Sequence, residues 1–119
     1  MKTKPVSPLI HGIIDYVFSA ALFAVPQLAG FNKKTKQLFA ADAVATVLYS
    51  AATSYPLGLK HIIPYKTHRI IDSMNIALLA ATIFYKPVRK NKHAVVFTLS
   101  MATAALITVL LTDWEVVTD

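Results

Sequence analysis

Four side chains in this sequence have the type and spacing to do chemistry together: His11, Asp15, His68 and Asp72. Each histidine stands four residues before an aspartate, so in a helix each pair shares one face. The pairs belong to a motif written twice, Ile10-His11-Gly12-Ile13-Ile14-Asp15 and Thr67-His68-Arg69-Ile70-Ile71-Asp72, fifty-seven residues apart. Two imidazoles and two carboxylates can act in several ways. They can supply four ligands to zinc, or to iron with open positions. The histidines can form an axial pair for haem between helices. Asp15 and Asp72, with Asp42, can serve as a proton or ion path. They can also simply satisfy one another and the orphan N–H groups of the helix starts, gluing two elements together at about 0.6 kcal/mol per contact in a membrane interior. The last reading is preferred, because a His-x-x-x-Asp pair is not by itself a specific metal signature.

The elements that would position these groups follow from composition. Of 119 residues, 55% are apolar and only 15% charged, against about 25% charged in an ordinary soluble domain. The charges are clustered, with Lys33, Lys34 and Lys36 in one group and Lys86, Arg89, Lys90 and Lys92 in another. Between them lie apolar runs near the ~20 residues that cross a ~30 Å hydrocarbon core. The spans are expected at 8–30, 36–54, 66–85 and 93–112. The expected fold is therefore all-α, an integral membrane four-helix bundle in a single domain. The net charge of +6 does not point to nucleic acid, because the basic groups sit between apolar runs and form no stripe on a folded surface. The absence of cysteine excludes disulfides and thiol chemistry.

Ser7 followed by Pro8 is a helix start, a capping hydroxyl and then proline at the first position. The first run contains His11 and Asp15 and exceeds the ~7–15 residues of a signal core, so it reads as a retained span. Run two is alanine-rich, and its small residues suit close helix approach. Residues 59–65 read as an interfacial connector, with Tyr55 and Tyr65 at headgroup level and Trp114 at the interface after run four. His61 and His93 read as solvated residues at membrane edges. Arg69 is expected to snorkel or to pair with Asp72.

Aligning residues 10–26 with 67–83 gives seven identities, of which the His-Ile-Ile-Asp block carries the weight. Two spans separate the copies, so both first helices cross in the same direction, giving two parallel two-helix repeats. The loops after runs one and three hold seven lysines and arginines and no acid, while the other side holds Lys2, Lys4, Lys60, Lys66 and Arg69. This bias puts the basic loops in the cytoplasm and the termini outside, and Asp113, Glu115 and Asp119 agree. Asp15 and Asp72 lie roughly 10 Å from their helix starts. Run two crosses the other way and brings Tyr49, Ser50 and Thr53 to a similar level. Ser19 continues the His11–Asp15 face and Asn75 the His68–Asp72 face. Asp42 is expected near the opposite end of run two, as a second polar spot on the basic-loop side.

These residues give the chain a resemblance to small bacterial membrane proteins of the SPW-repeat type. That family pairs a His-x-x-x-Asp opening with Ser-Pro-Trp near the helix end. His11–Asp15 and His68–Asp72 match the opening. Pro26, Leu28, Gly30 and Phe31 stand where the family tends to read Ser-Pro-Trp-Leu-x-Gly-Phe, with Gln27 in place of tryptophan. The resemblance implies a bacterial inner-membrane, four-helix protein and no activity. The function expected is non-enzymatic: a structural or accessory membrane subunit, or a module associating with itself or another membrane protein in the lipid bilayer. The alternatives are a metal- or haem-binding redox subunit, such as the membrane partner of a quinone-linked enzyme that DoxX-type proteins suggest by size alone, and a small proton or ion transporter.

Overall fold

The computed structural model describes residues 4–115. Lys2 and Asp119, which entered the charge balance, lie outside the described residues. The described chain is all-helical, with four long helices. Helix α1 is Pro8–Leu28, α2 Lys33–Ala51, α3 Tyr65–Ala81 and α5 Lys92–Leu111, with a 3-10 turn at Thr82–Phe84 and a single helical turn, α4, at Lys86–Arg89. Residues 86–92, read as a loop, therefore contain α4.

Local chemistry sets the helix ends. The Ile10 N–H donates to the Ser7 hydroxyl, with Pro8 following as the first helical residue. Gly30 ends α1 with φ 68°, a left-handed conformation that glycine adopts without a Cβ penalty. There the Phe31 N–H donates to the Pro26 carbonyl. Asn32 caps α2 by accepting from the Thr35 N–H at 2.9 Å, and its amide donates to the Pro87 carbonyl, tying the two basic loops together. The capped helix begins three residues earlier than the span read at 36. Hydropathy marks where lysines stop, whereas the backbone bonds begin at the cap.

Helix α1 packs chiefly on α2, and α3 on α5; contacts between these two hairpins are sparser. One backbone pattern occurs twice. The Val6 N–H donates to the Leu111 carbonyl and the Asp113 N–H to the Val6 carbonyl. In the same way the Ile63 N–H donates to Ala52 and the Ser54 N–H to Ile63. Each bridge joins the lead-in of one His-Asp helix to the residues that end α5 or α2. Gly58 closes the 52–64 connector; a Cβ there would lie 1.9 Å from the Thr53 carbonyl oxygen.

The interior has two parts. One half, toward the basic loops, is an apolar layer that includes Leu22, Phe31, Phe39, Leu79, Val88 and Ala102. The other contains Tyr55, Tyr65, Val109 and Trp114. Tyr55, Tyr65 and Trp114 are thus buried inside the protein. The two bridges fold the connector and the C-terminal segment back over the helix ends. Helices α1 and α5 are long and apolar enough to cross a membrane. Helices α2 and α3 do not reach that measure; α2 carries Lys33, Lys34, Lys36 and Asp42, and α3 carries Lys66, Arg69 and Asp72.

Candidate functional site

The first turns of α1 and α3 bring His11, Asp15, His68 and Asp72 together, with one ligand-capable atom from each within 4.8 Å of the others. Both histidines are fully buried. His11 Nε2 lies 2.9 Å from Asp72 Oδ2 and 3.3 Å from Asp15 Oδ1. His68 Nε2 lies 3.0 Å from Asp15 Oδ2 and 3.2 Å from Asp72 Oδ2. Each imidazole therefore faces the carboxylate of its own helix and that of the other hairpin. Arg69 takes no part; Asp72 is turned inward, and Arg69 is exposed.

The outer nitrogens are fixed by two threonines. His11 Nδ1 is 2.8 Å from Thr112 Oγ1, and His68 Nδ1 is 2.7 Å from Thr53 Oγ1. Both hydroxyls already donate to the carbonyl four residues back, Thr112 to Thr108 and Thr53 to Tyr49. A hydroxyl has one hydrogen. Each threonine must then accept, so each histidine carries a proton on Nδ1 and turns Nε2 to the carboxylates, where His11 Nε2 hydrogen-bonds Asp72 Oδ2 at 2.9 Å. Thr53 and Thr112 occupy the two bridges described above, so each imidazole is held by the hairpin to which it does not belong.

Two tyrosines complete the carboxylate shells. The Tyr49 hydroxyl donates to Asp72 Oδ1 at 2.6 Å and the Tyr55 hydroxyl to Asp15 Oδ2 at 2.8 Å. Burial, then the Asp15 carboxylate beside it, pushes the Tyr55 phenol upward from its ordinary pKa, so it stays a donor. Ser50 reaches Asp15 Oδ2 at 3.5 Å. Trp114 lies over the pair, 4.9 Å from the His11 ring and 4.8 Å from Tyr65 between centroids, its indole N–H held by the Val109 carbonyl.

Two supporting residues differ from expectation. The Ser19 hydroxyl donates to the Asp15 backbone carbonyl of its own helix and does not reach the cluster. Asp42 is the central residue of α2, not near its basic-loop end, because α2 starts at Lys33. It lies beside Asn75, lining the same groove. Asn75 also lines a cavity of about 20 Å³ behind Asp15, Asp72 and Tyr49. The second polar spot is thus a continuation of the first to mid-helix, where the apolar layer begins.

Sequence reading missed Thr112, Tyr55 and Trp114 as members of the site. A signal was present, since Thr53-Ser54-Tyr55 and Thr112-Asp113-Trp114 each place threonine two residues before an aromatic where an even-numbered run ends. A haem between the histidines does not fit. Their rings stand 5.2 Å apart at 81°, and the two carboxylates fill the space beside both Nε2 atoms. Comparison with known proteins found no family model, no curated protein and no solved structure that matches this chain.

Proposed function

We propose that this chain is a four-span integral membrane protein of two parallel hairpin repeats, acting as a structural or accessory module rather than as an enzyme. The observation that carries the reading is an inverted distribution of polarity. Apolar side chains cover the outside, with Val17 63%, Leu48 65% and Leu78 65% exposed, while His11, Asp15, Thr46, His68, Asp72 and Thr98 are buried. In water such an exterior invites association; in lipid it is the expected solvent-facing surface, and ionisable groups turn inward. The spacing also fits, since helices of 17–21 residues span about 25–30 Å at 1.5 Å per residue. The charges on α2 and α3 that depress their hydropathy lie at helix ends or face the seam. The resemblance to SPW-repeat proteins, the bacterial inner membrane and cytoplasmic basic loops are parts of this proposal. The apolar layer across half of the bundle opposes a conducting path, because the buried polar groups described there, Thr35 and Thr98, do not ionise. The exposed helix faces are the surface for lipid, for a second copy or for another membrane protein.

Single cysteines at Lys34, Lys60 and Lys90 test this, since the chain has none of its own. In intact cells and inverted vesicles, an impermeant thiol reagent is expected to label positions 34 and 90 from one side and position 60 from the other. Labelling of 34 and 90 from opposite faces, or recovery of the protein in the soluble fraction, would refute the four-span reading.

A further inference from the structure

We propose that His11, Asp15, His68 and Asp72 form a binding site for one divalent first-row transition-metal ion, with Thr53 and Thr112 as its orienting outer shell. The inference deepens the seam just described and depends on its geometry, not on the bilayer. It rests on where the ring nitrogens point. With both Nδ1–H groups committed to threonine, the position each imidazole has for a ligand is Nε2, which in His11 hydrogen-bonds Asp72 Oδ2 and in His68 has no hydrogen-bond partner. The groups facing both Nε2 atoms are carboxylate oxygens, which are acceptors. An electron-pair acceptor shared among the four would take the place of the ring protons that otherwise lie between each Nε2 and these oxygens.

Three further features agree. His68 Nε2 is fully buried and has no hydrogen-bond partner, although Asp15 Oδ2 is 3.0 Å away. A carboxylate oxygen thus stands within reach of this nitrogen without making a hydrogen bond to it. The four Nε2–oxygen separations run from 2.9 to 3.3 Å. Tetrahedral ligands at zinc's ~2.0–2.1 Å bond lengths stand about 3.3 Å from one another. With one atom from each residue the set spreads to 4.8 Å, so an entering ion would draw its widest pair inward. Finally, the Nδ1–H to threonine bond is the outer-shell contact that metal-bound histidines make, fixing tautomer and ring orientation.

Charge selects the ion. Two carboxylates and two neutral imidazoles balance a divalent cation in an interior where net charge is costly. Any protons on the Nε2 atoms leave as the ion enters, so charge is exchanged and not added. Imidazole favours zinc, iron, copper or nickel over magnesium or calcium. The cavity of about 20 Å³ beside Asp15, Asp72 and Tyr49 has room for one water. It would supply a further ligand to an ion that takes more than four. On the other side Trp114 and Tyr65 exclude solvent.

The test uses the full chain, purified in detergent without a polyhistidine tag and equilibrated with buffered Zn²⁺ or Co²⁺. One ion per chain is expected. The Co²⁺ form should show ligand-field absorption, and X-ray absorption of the Zn²⁺ form should show nitrogen and oxygen neighbours with imidazole scattering. His68→Gln should abolish binding. Thr53→Val, which keeps every ligand, should weaken it about 10–100-fold. Ser19→Ala should bind as the parent does. Non-saturating binding by the parent, or unchanged affinity in both His68→Gln and Thr53→Val with the helical circular dichroism of the parent, would overturn the proposal. If His68→Gln fails to fold, Thr53→Val decides alone. An empty centre with labelling at 34 and 90 from one face would remove the metal and leave the four-span module standing; the opposite result would leave the metal and remove the module.

Discussion

Replacing Asp72 with alanine is expected to cost about 3–5 kcal/mol of stability, the usual result of removing one partner from a buried ion pair. Asp72 Oδ2 is the near neighbour of His11 Nε2, and the same oxygen is 3.2 Å from His68 Nε2. Its other oxygen accepts from Tyr49 at 2.6 Å. Alanine would leave two imidazole nitrogens and a phenol facing one carboxylate, Asp15, which already accepts from Tyr55. The small cavity has room for about one water to replace the lost acceptor. Asp72→Asn keeps the shape and an acceptor for Tyr49 but gives the imidazoles an amide, so a smaller loss is expected. Thermal or denaturant unfolding in detergent reads the difference. Glu115→Ala is the control, since its pair with Lys66 is about two-thirds exposed on both sides and such pairs contribute little. An Asp72→Ala protein as stable as its Glu115→Ala counterpart would mean that the cluster is wet and that its contacts do not hold the hairpins together.

The second large effect is expected at Gly58, outside every helix and without charge. Alanine there would put its Cβ 1.9 Å from the Thr53 carbonyl oxygen and 3.2 Å from that of Tyr55. Both are backbone atoms, so no side chain can swing away. The connector must shift, and it carries Thr53 and Tyr55 with it. The Thr53–His68 and Tyr55–Asp15 bonds would then be strained together. A loss of about 3 kcal/mol is expected, at the upper end for overpacking. Gly12→Ala is the comparison. Its Cβ would lie 3.1–3.3 Å from Leu57, whose Cβ is the nearest atom, so Leu57 must give by only a few tenths of an ångström and a loss of about 1 kcal/mol, well below that at Gly58, is expected. Equal melting temperatures for the two variants would mean that the connector is not fixed against α2 as described.

The two variants separate what the sequence encodes locally from what the fold adds. Asp72 could be singled out from sequence because helical periodicity is local: four residues make one turn, so a duplicated His-x-x-x-Asp block fixes two polar faces. The all-helical class followed from apolar run length. The Ser7-Pro8 start needed only neighbouring residues. Gly58 could not be singled out, because the carbonyl it must avoid is positioned by a bridge between Thr53 and Ile63 and by the turn between them.

The same division applies to the rest of the site. Tyr55 and Trp114 read as interface aromatics because composition reports only that they follow apolar runs. They are buried because Ile63 and Val6 pair with the chain at Thr53 and Thr112, closing the ends over the histidines. The Val6 pairing spans nearly the whole chain, and such contacts leave no periodic trace in sequence. Asp42 was misplaced because lysines at 33, 34 and 36 look like a loop to a hydropathy count, while the Asn32 cap starts the helix before them. Sequence alone determined which residues could do chemistry and on which helix face each stands. Tertiary structure decided that the two faces meet, which nitrogen each imidazole presents and what covers them, because these depend on distant segments meeting in space, which local spacing does not encode.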